Sequence, residues 1–421
     1  MNYFSGLLAK STKICFNIVY SYDFKAVKTP CAKIFLRAVK MIYIPTGFLK
    51  PNMVLARDIS AYGSMFALLN KGQKLTASLI ERLVSAQIPG VYIENGIADD
   101  IQPNEILAPA YKEKVISEMK TIFASCEHGE TLTSRTLMQG ASLAEDLVMK
   151  ILNQDVYLVD VITIKDYDNY TYSHCMYVAM FSVLMGIQLK YTQQQLNELA
   201  LCGLMHDIGK VDISLDIINK KGRLTEAEFA EIKTHPLRSI ERLRHNQQLT
   251  QRVFNGISCH HEKFDGTGYP YGLKGDKIHI YARILALADV YDALTSNRSY
   301  RRAWTSAEAI EYIMSQSAIH FDFDLVSCFM RTVAAYPIGS LVKLSNGLAA
   351  LVVKNNVENT LRPVVRIVTE GSGLTAGTDI DLTRDTKYLN LTIISTISAE
   401  DFGELPAAIT AGVQIDKKAK K

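Results

Sequence analysis

At 421 residues, 48% hydrophobic and 21% charged, the chain is too long for one compact core, so roughly two to four domains are expected. No stretch approaches the roughly 18 uninterrupted apolar residues of a membrane-spanning helix. The net charge of +3 arises from residues 1–40, where seven Lys/Arg face Asp23 alone; the rest of the chain sums to −3, which argues against a nucleic-acid polymer and for a small-molecule or protein partner.

Residues 1–40 carry apolar clusters at 14–20 and 34–39. A membrane-surface segment, a targeting peptide and an extension upstream of a start at Met41 compete here. The extension is preferred, because a folded pattern begins only at Met41. From 41 to 107 the sequence reads as a small α/β domain. Strands are expected over 53–59 and 64–69 about Ala61-Tyr62-Gly63, then a helix over 77–86 capped by Thr76, then a strand at 91–93. Helices over 108–125 and 134–153 form a linker (108–154) or pair two subunits in a homodimer. Residues 155–335 read as helix broken by polar loops. After Tyr336-Pro337 the segments 341–344, 349–354 and 364–369 alternate or are β-branched, predicting a small all-β domain over 336–402. Residues 403–421 end in a Lys-rich run and read as a solvated tail. The expected fold class is therefore multi-domain and mainly α: an all-helical central domain flanked by a small α/β domain and a small all-β domain.

The seven cysteines (15, 31, 126, 175, 202, 259 and 328) are dispersed, odd in number and without a CxxC pair. This argues against a disulfide framework or a thiolate zinc site, and for a reducing cytoplasm. Chemistry concentrates instead in His and Asp. His206-Asp207 lies in His206-Asp207-Ile208-Gly209-Lys210, and Leu196, Leu199, Gly203 and His206 recur at helical intervals, which would carry the pair inward. Lys210 is expected one turn on, near the same face. Metal-type ligands with a cation beside them suit a phosphate. A second cluster, His260-His261-Glu262 through Gly268-Tyr269-Pro270, sets adjacent imidazoles before a glycine-rich loop. On a helix such neighbours diverge by about 100°, so the pair predicts two ions, or one ion plus another contact. His235 precedes Pro236, and Asp289 sits in the apolar run 286–292, where an unpaired acid would be costly and a cation partner is expected. Asp292, one turn on, is the alternative partner, as a hydrogen-bonded neighbour of Asp289.

With these residues in view, the segments 206–210, 235–236, 260–270 and 283–301 resemble the HD-GYP family, a branch of the HD-domain phosphohydrolases. The resemblance covers about 155–335 and implies an all-helical, metal-dependent phosphodiesterase. Its substrate would be cyclic di-GMP, opened to 5′-pGpG and onward to GMP; some relatives prefer cyclic GMP-AMP. By position it implies the metal ligands His174, His206, Asp207, His235, His260, His261 and Asp289. Lys210, Tyr269, Arg298 and Arg301 fall where the family contacts phosphate or guanine. Some members hold a third metal through a Glu four residues before the first ligand His; Tyr170 stands there, so two divalent ions are expected, with Asp168 as a candidate behind the ligands. Ser214, Ser239 and Ser299 also depart from the family pattern without removing a ligand. Nitrogen and carboxylate donors suit iron or manganese and do not exclude zinc. Asp207 would bridge the ions, a water between them would attack phosphorus, and Lys210 would share the phosphoryl charge. The rivals are a phosphohydrolase acting on another nucleotide and an inactive cyclic-dinucleotide sensor that binds signalling proteins.

Overall fold

The computed structural model describes residues 41–60, 67–86, 88, 90–94, 106–126, 130–154, 158–159, 170–218, 220, 222–246, 249–296 and 303–397. At the N-terminal end β1 (Met41–Pro45) pairs antiparallel with β4 (Gly90–Glu94), with Ile42 opposite Ile93. β1 was not expected from sequence. The strand expected over 53–59 is instead reduced to β2 (Ile59–Ser60), paired with β3 (Ala67–Leu69), and to isolated bridges at Val54 and Leu55. The physical reason is that this stretch is used from the side: Leu55 and Ala56 donate to Gln73 and Tyr92 in two different segments, so no continuous ladder forms. The expected helix is α1 (Ala77–Ser85), and the Thr76 hydroxyl accepts from Leu79 N. The turn Ala61-Tyr62-Gly63 lies outside the described residues.

The body is helical. α2 (Pro109–Ala124) and α3 (Ser134–Leu152) bury Val115, Met119, Ile122, Leu143 and Leu147 in the same apolar core as α4 (Tyr170–Gln188) and α5 (Gln193–Met205). The stretch expected to link two parts of the chain thus contributes a wall of the core. α4 is apolar on every face, and it is buried accordingly. α5 starts at a capping box in which Thr192 and Gln195 satisfy each other's backbone amides. The helical series continues with α6 (Leu215–Ile218), α7 (Glu226–Ile232), α8 (His235–Leu243), α9 (Gln251–Ser258), α10 (Ile280–Thr295), α11 (Ser306–Ser315) and α12 (Phe323–Phe329). Among the described residues, no helix is long and apolar enough to cross a membrane.

The tail is a five-stranded antiparallel sheet, in the order β8 (Asp379–Asp381), β7 (Val364–Ile367), β6 (Ala349–Lys354), β5 (Leu341–Leu344), β9 (Ile393–Thr396). Ile338, Leu341, Ala349 and Leu351 share an apolar cluster with Ile42, Ile44, Leu55 and Leu83. Tyr43 N donates to Gly339 O across that junction. The fold is therefore mainly α, with a small α/β part before the helical body and an all-β part after it.

Candidate metal centre

Five elements converge on one point in the helical body. α4 carries His174, and α5 ends at Met205 with His206 as its C-cap. Asp207 leaves helical geometry (φ −100°, ψ 5°), and a 3-10 helix over Ile208–Asp212 bears Lys210. The expectation that one helix runs on through Lys210 is thus corrected. The chain must tighten here because Gly209 lies against α8: a Cβ at Gly209 would overlap the His235 carbonyl and the Ser239 amide. Gly203 brings α5 equally close to the Ala179 backbone of α4. α8 opens with His235-Pro236, and α10 supplies Asp289 and Asp292.

His260 and His261 also depart from expectation. α9 stops at Ser258, so the two imidazoles sit in the turn beyond it, with ring centroids 4.1 Å apart. The 100° divergence of a helix does not apply there, and both rings face His235. Possible ligand atoms of His235, His260 and His261 lie within 4.8 Å of one another, as do those of His174, His206 and Asp207. Either group could hold a metal ion. Asp207 stands between them: its Oδ2 is 3.4 Å from His206 Nε2 and 3.7 Å from His174 Nε2, and its Oδ1 is 3.3 Å from His235 Nε2. Asp289 approaches His174 Nε2 at 3.0 Å and His261 Nδ1 at 3.7 Å.

The hydrogen bonds behind the rings prepare them for a cation. The Nδ1–H groups of His206, His235 and His260 donate to the carbonyls of Gly203, Ile232 and Ile257 at 2.7–2.8 Å, which turns each Nε2 lone pair inward. Burial holds the His235 pKa down to about 3 and His261 to about 4, and it drives His260 well below its usual value. These imidazoles are therefore neutral near pH 7. His235 and His260 then point lone pairs at each other across 3.2 Å, a repulsive arrangement that a cation between them would relieve. His206 Nε2 and Asp207 Oδ1 are buried without a hydrogen-bond partner. The residues present fit divalent metal ions.

His174 differs. Burial opposes its charge, yet hydrogen bonds to Asp289 and Asp292 outweigh that and lift its pKa to about 9. Its Nδ1 lies 2.7 Å from Asp292 Oδ2. Burial alone would raise the Asp207 pKa, but His206 and Lys210 hold it well below the carboxylate range. Lys210 Nζ donates to Asp207 Oδ2 at 2.6 Å. The side chains of His174, His206, Asp207 and His235 are 1–2% exposed, against 28% for Lys210 and 25% for His261, so the cluster opens on the Lys210–His261 side. Tyr269 flanks that opening, its ring stacked on His261 at 4.8 Å. Buried Glu262 braces its loop by accepting from Tyr271 N and Leu273 N.

All seven expected ligand residues and two of the four expected substrate contacts, Lys210 and Tyr269, therefore come together. Arg298 and Arg301 lie outside the described residues, as does Asp168, and nothing is described of the Tyr170 side chain. Of the other histidines, His245 is exposed, His279 caps α10 and His320 stacks on Phe321. Two functional candidates escaped the sequence. Asp292 was read as a neighbour of Asp289, and it bonds His174 instead. Ser239, a departure from the family pattern, is fully buried, donating to His206 O and accepting from Gly209 N at 2.8 and 2.9 Å.

Residues 162–325 match the HD domain family, and residues 341–405 match the KOW domain associated with HD domain. The central part of the chain is thus similar to HD domains. The HD domain's relatives include a Pseudomonas aeruginosa protein named cyclic di-GMP phosphodiesterase PA4108, 32% identical over 271 residues, or 64% of each chain. The cyclic di-GMP phosphodiesterase response regulator RpfG of Xanthomonas campestris is 38% identical over 35% of this chain and 39% of its own. A 3'3'-cGAMP-specific phosphodiesterase of Vibrio cholerae is 35% identical over 38% of this chain and 31% of its own. The chain thus spans less than two thirds of the length of each of these curated relatives.

Proposed function

We propose that the HD domain is a metal-dependent phosphodiesterase that opens cyclic di-GMP to 5′-pGpG and carries it onward to GMP. The observation that supports this most is the placing of Asp207 between two groups of donors, one carboxylate oxygen toward each. His174, His206 and Asp207 would hold one ion, and His235, His260 and His261 the other, with Asp289 beside both. The nitrogen and carboxylate donor set suits iron or manganese. Such ions, when bound, polarise a phosphoryl oxygen and supply a nucleophile at neutral pH.

The chain's own residues do the rest. Asp292 fixes the orientation of His174, and the carbonyls of Gly203, Ile232 and Ile257 fix three further rings. Lys210, at the open side, would meet a phosphoryl oxygen as charge builds on it. Tyr269, its ring stacked on His261, would give a nucleotide a surface to lie against. Arg298 and Arg301 remain proposed contacts to guanine or phosphate through forked hydrogen bonds. The cysteine pattern is compatible with work in a reducing cytoplasm.

The test is turnover by protein purified without oxygen and loaded with Fe(II) or Mn(II), with products separated by chromatography. The expected result is 5′-pGpG followed by GMP, abolished in Asp207→Ala. No product with any metal, or equal turnover in Asp207→Ala, rejects the reading. Preference for cyclic GMP-AMP in the same assay would favour that substrate, and tight binding without turnover would favour a sensor.

A further inference from the structure

We propose that Lys233 is the cation that receives the second phosphate of a cyclic dinucleotide, an inference that rests on the substrate proposed above. Such a ligand carries two phosphates about one ring. Only one can lie on the His–Asp cluster at a time, and the other needs a positive partner near the open side.

Lys233 is set there by its helix. α7 begins at a capping box between Thr225 and Glu228, and Lys233 is its C-cap. Phe229 and Lys233 are four residues apart, so they share a face. The Lys233 ammonium lies 4.5 Å from the Phe229 ring centroid and 5.7 Å from that of Tyr269. Tyr269 is the ring stacked on His261, so Lys233 is separated from the metal-type cluster by one aromatic ring. Two residues further on, the same segment delivers His235.

Two nearby lysines have roles or partners of their own: Lys210, 2.6 Å from Asp207, serves the phosphate on the cluster, and Lys220 binds both oxygens of Glu228 at 2.7 Å. Among the described residues, Lys233 makes no ion pair, and its ammonium lies against the two rings. Ring faces attract a cation without neutralising it, and they spare part of the rotamer entropy that an anion would otherwise have to overcome. Phe229 stays 46% exposed beside it, leaving an aromatic surface on which a base can also rest. An exposed, uncompensated cation on a fixed aromatic platform, one ring from the reacting centre, is suited to phosphate at the mouth.

The experiment compares Lys233→Ala and Lys233→Arg with the wild-type metal-loaded protein. Equilibrium binding and turnover of cyclic di-GMP are measured beside turnover of bis(p-nitrophenyl) phosphate, which has a single phosphodiester. Lys233→Ala is expected to raise Kd and KM for the dinucleotide about tenfold, the scale of one lost charged hydrogen bond. The loss should fall on KM more than on kcat, be much smaller for the single diester, and be recovered by Lys233→Arg. Wild-type affinity in Lys233→Ala, or an equal loss on both substrates, overturns the inference. A wild-type protein that binds the dinucleotide through Lys233 but never cleaves it rejects the enzymatic reading and keeps this one. A protein that cleaves normally in Lys233→Ala does the reverse, and one that binds no cyclic dinucleotide removes both.

Discussion

Replacing Asp292 with Asn tests whether the carboxylate behind His174 tunes a metal ligand or merely fills the core. Asp292 is fully buried, its Oδ2 is 2.7 Å from His174 Nδ1, and the Ser296 hydroxyl approaches the same oxygen at 3.3 Å. Asn keeps the shape and can still accept from Nδ1–H, so what is lost is the charge. A hydrogen bond to a charged group contributes about 1.5–3 kcal/mol and a neutral one about 0.5–1.5. The difference is about 1–1.5 kcal/mol, or a five- to tenfold weaker metal affinity. Loss of such partners behind a metal-bound histidine typically costs about 10–100-fold, so Asp292→Ala, which removes the acceptor altogether, should lie at the upper end. Competition with a chelating dye under Mn(II) measures this. One of two binding steps is expected to weaken, because the carbonyls of Ile232 and Ile257, and not Asp292, hold the rings of His235 and His260. Wild-type affinity for both ions in Asp292→Asn, or equal weakening of both, would refute the reasoning.

Ser239→Ala leaves the buried His206 carbonyl and Gly209 amide without their shared partner, and denaturant unfolding should show a loss of about 1–3 kcal/mol. Gly203→Ala puts a methyl into the Ala179 backbone, which cannot yield like a side-chain tip. Calorimetry should register about 1–3 kcal/mol of destabilisation, and bound metal should fall as His174 on α4 and His206 on α5 part; full loading would contradict the coupling. Glu198 ties three helices through Arg252 at 2.7 and 2.8 Å and the Tyr281 hydroxyl at 2.9 Å. Burial alone would raise its pKa, but Arg252 and the Tyr281 hydroxyl outweigh that and hold it below the usual carboxylate range. A folded-state pKa below the unfolded one contributes stability above the unfolded value, and that contribution fades as pH falls through the folded value. The gap in Tm between wild type and Glu198→Gln should therefore be wide at pH 7 and close at acid pH as the folded-state carboxylate takes up its proton; a gap independent of pH would rule this out.

What could be read from sequence was residue chemistry, and what could not was the backbone that aims it. Histidines and aspartates scattered from 206 to 289 announce a metal-type site because imidazole and carboxylate gathered in apolar runs have few other uses, whereas His174 was implied by the family resemblance alone. Helical periodicity also anticipated α5 and the α2–α3 pair. Yet periodicity carried the 204–210 run forward as one helix, whereas contact with α8 breaks it at His206. It likewise splayed His260 from His261, when the helix had already ended at Ser258. Both errors have one cause: a helix end imposed by tertiary contact leaves no mark in the local pattern. Gly203 and Gly209 show why. In sequence each is a residue of low helix propensity, yet in the structure each is the point where two backbones touch, α5 on α4 and the 3-10 turn on α8. Those two contacts set the spacing of His174, His206 and His235 around Asp207. Because backbone rather than side chain meets at both places, no rotamer change can absorb an added carbon, and the placement of the ligands is as rigid as the helices themselves.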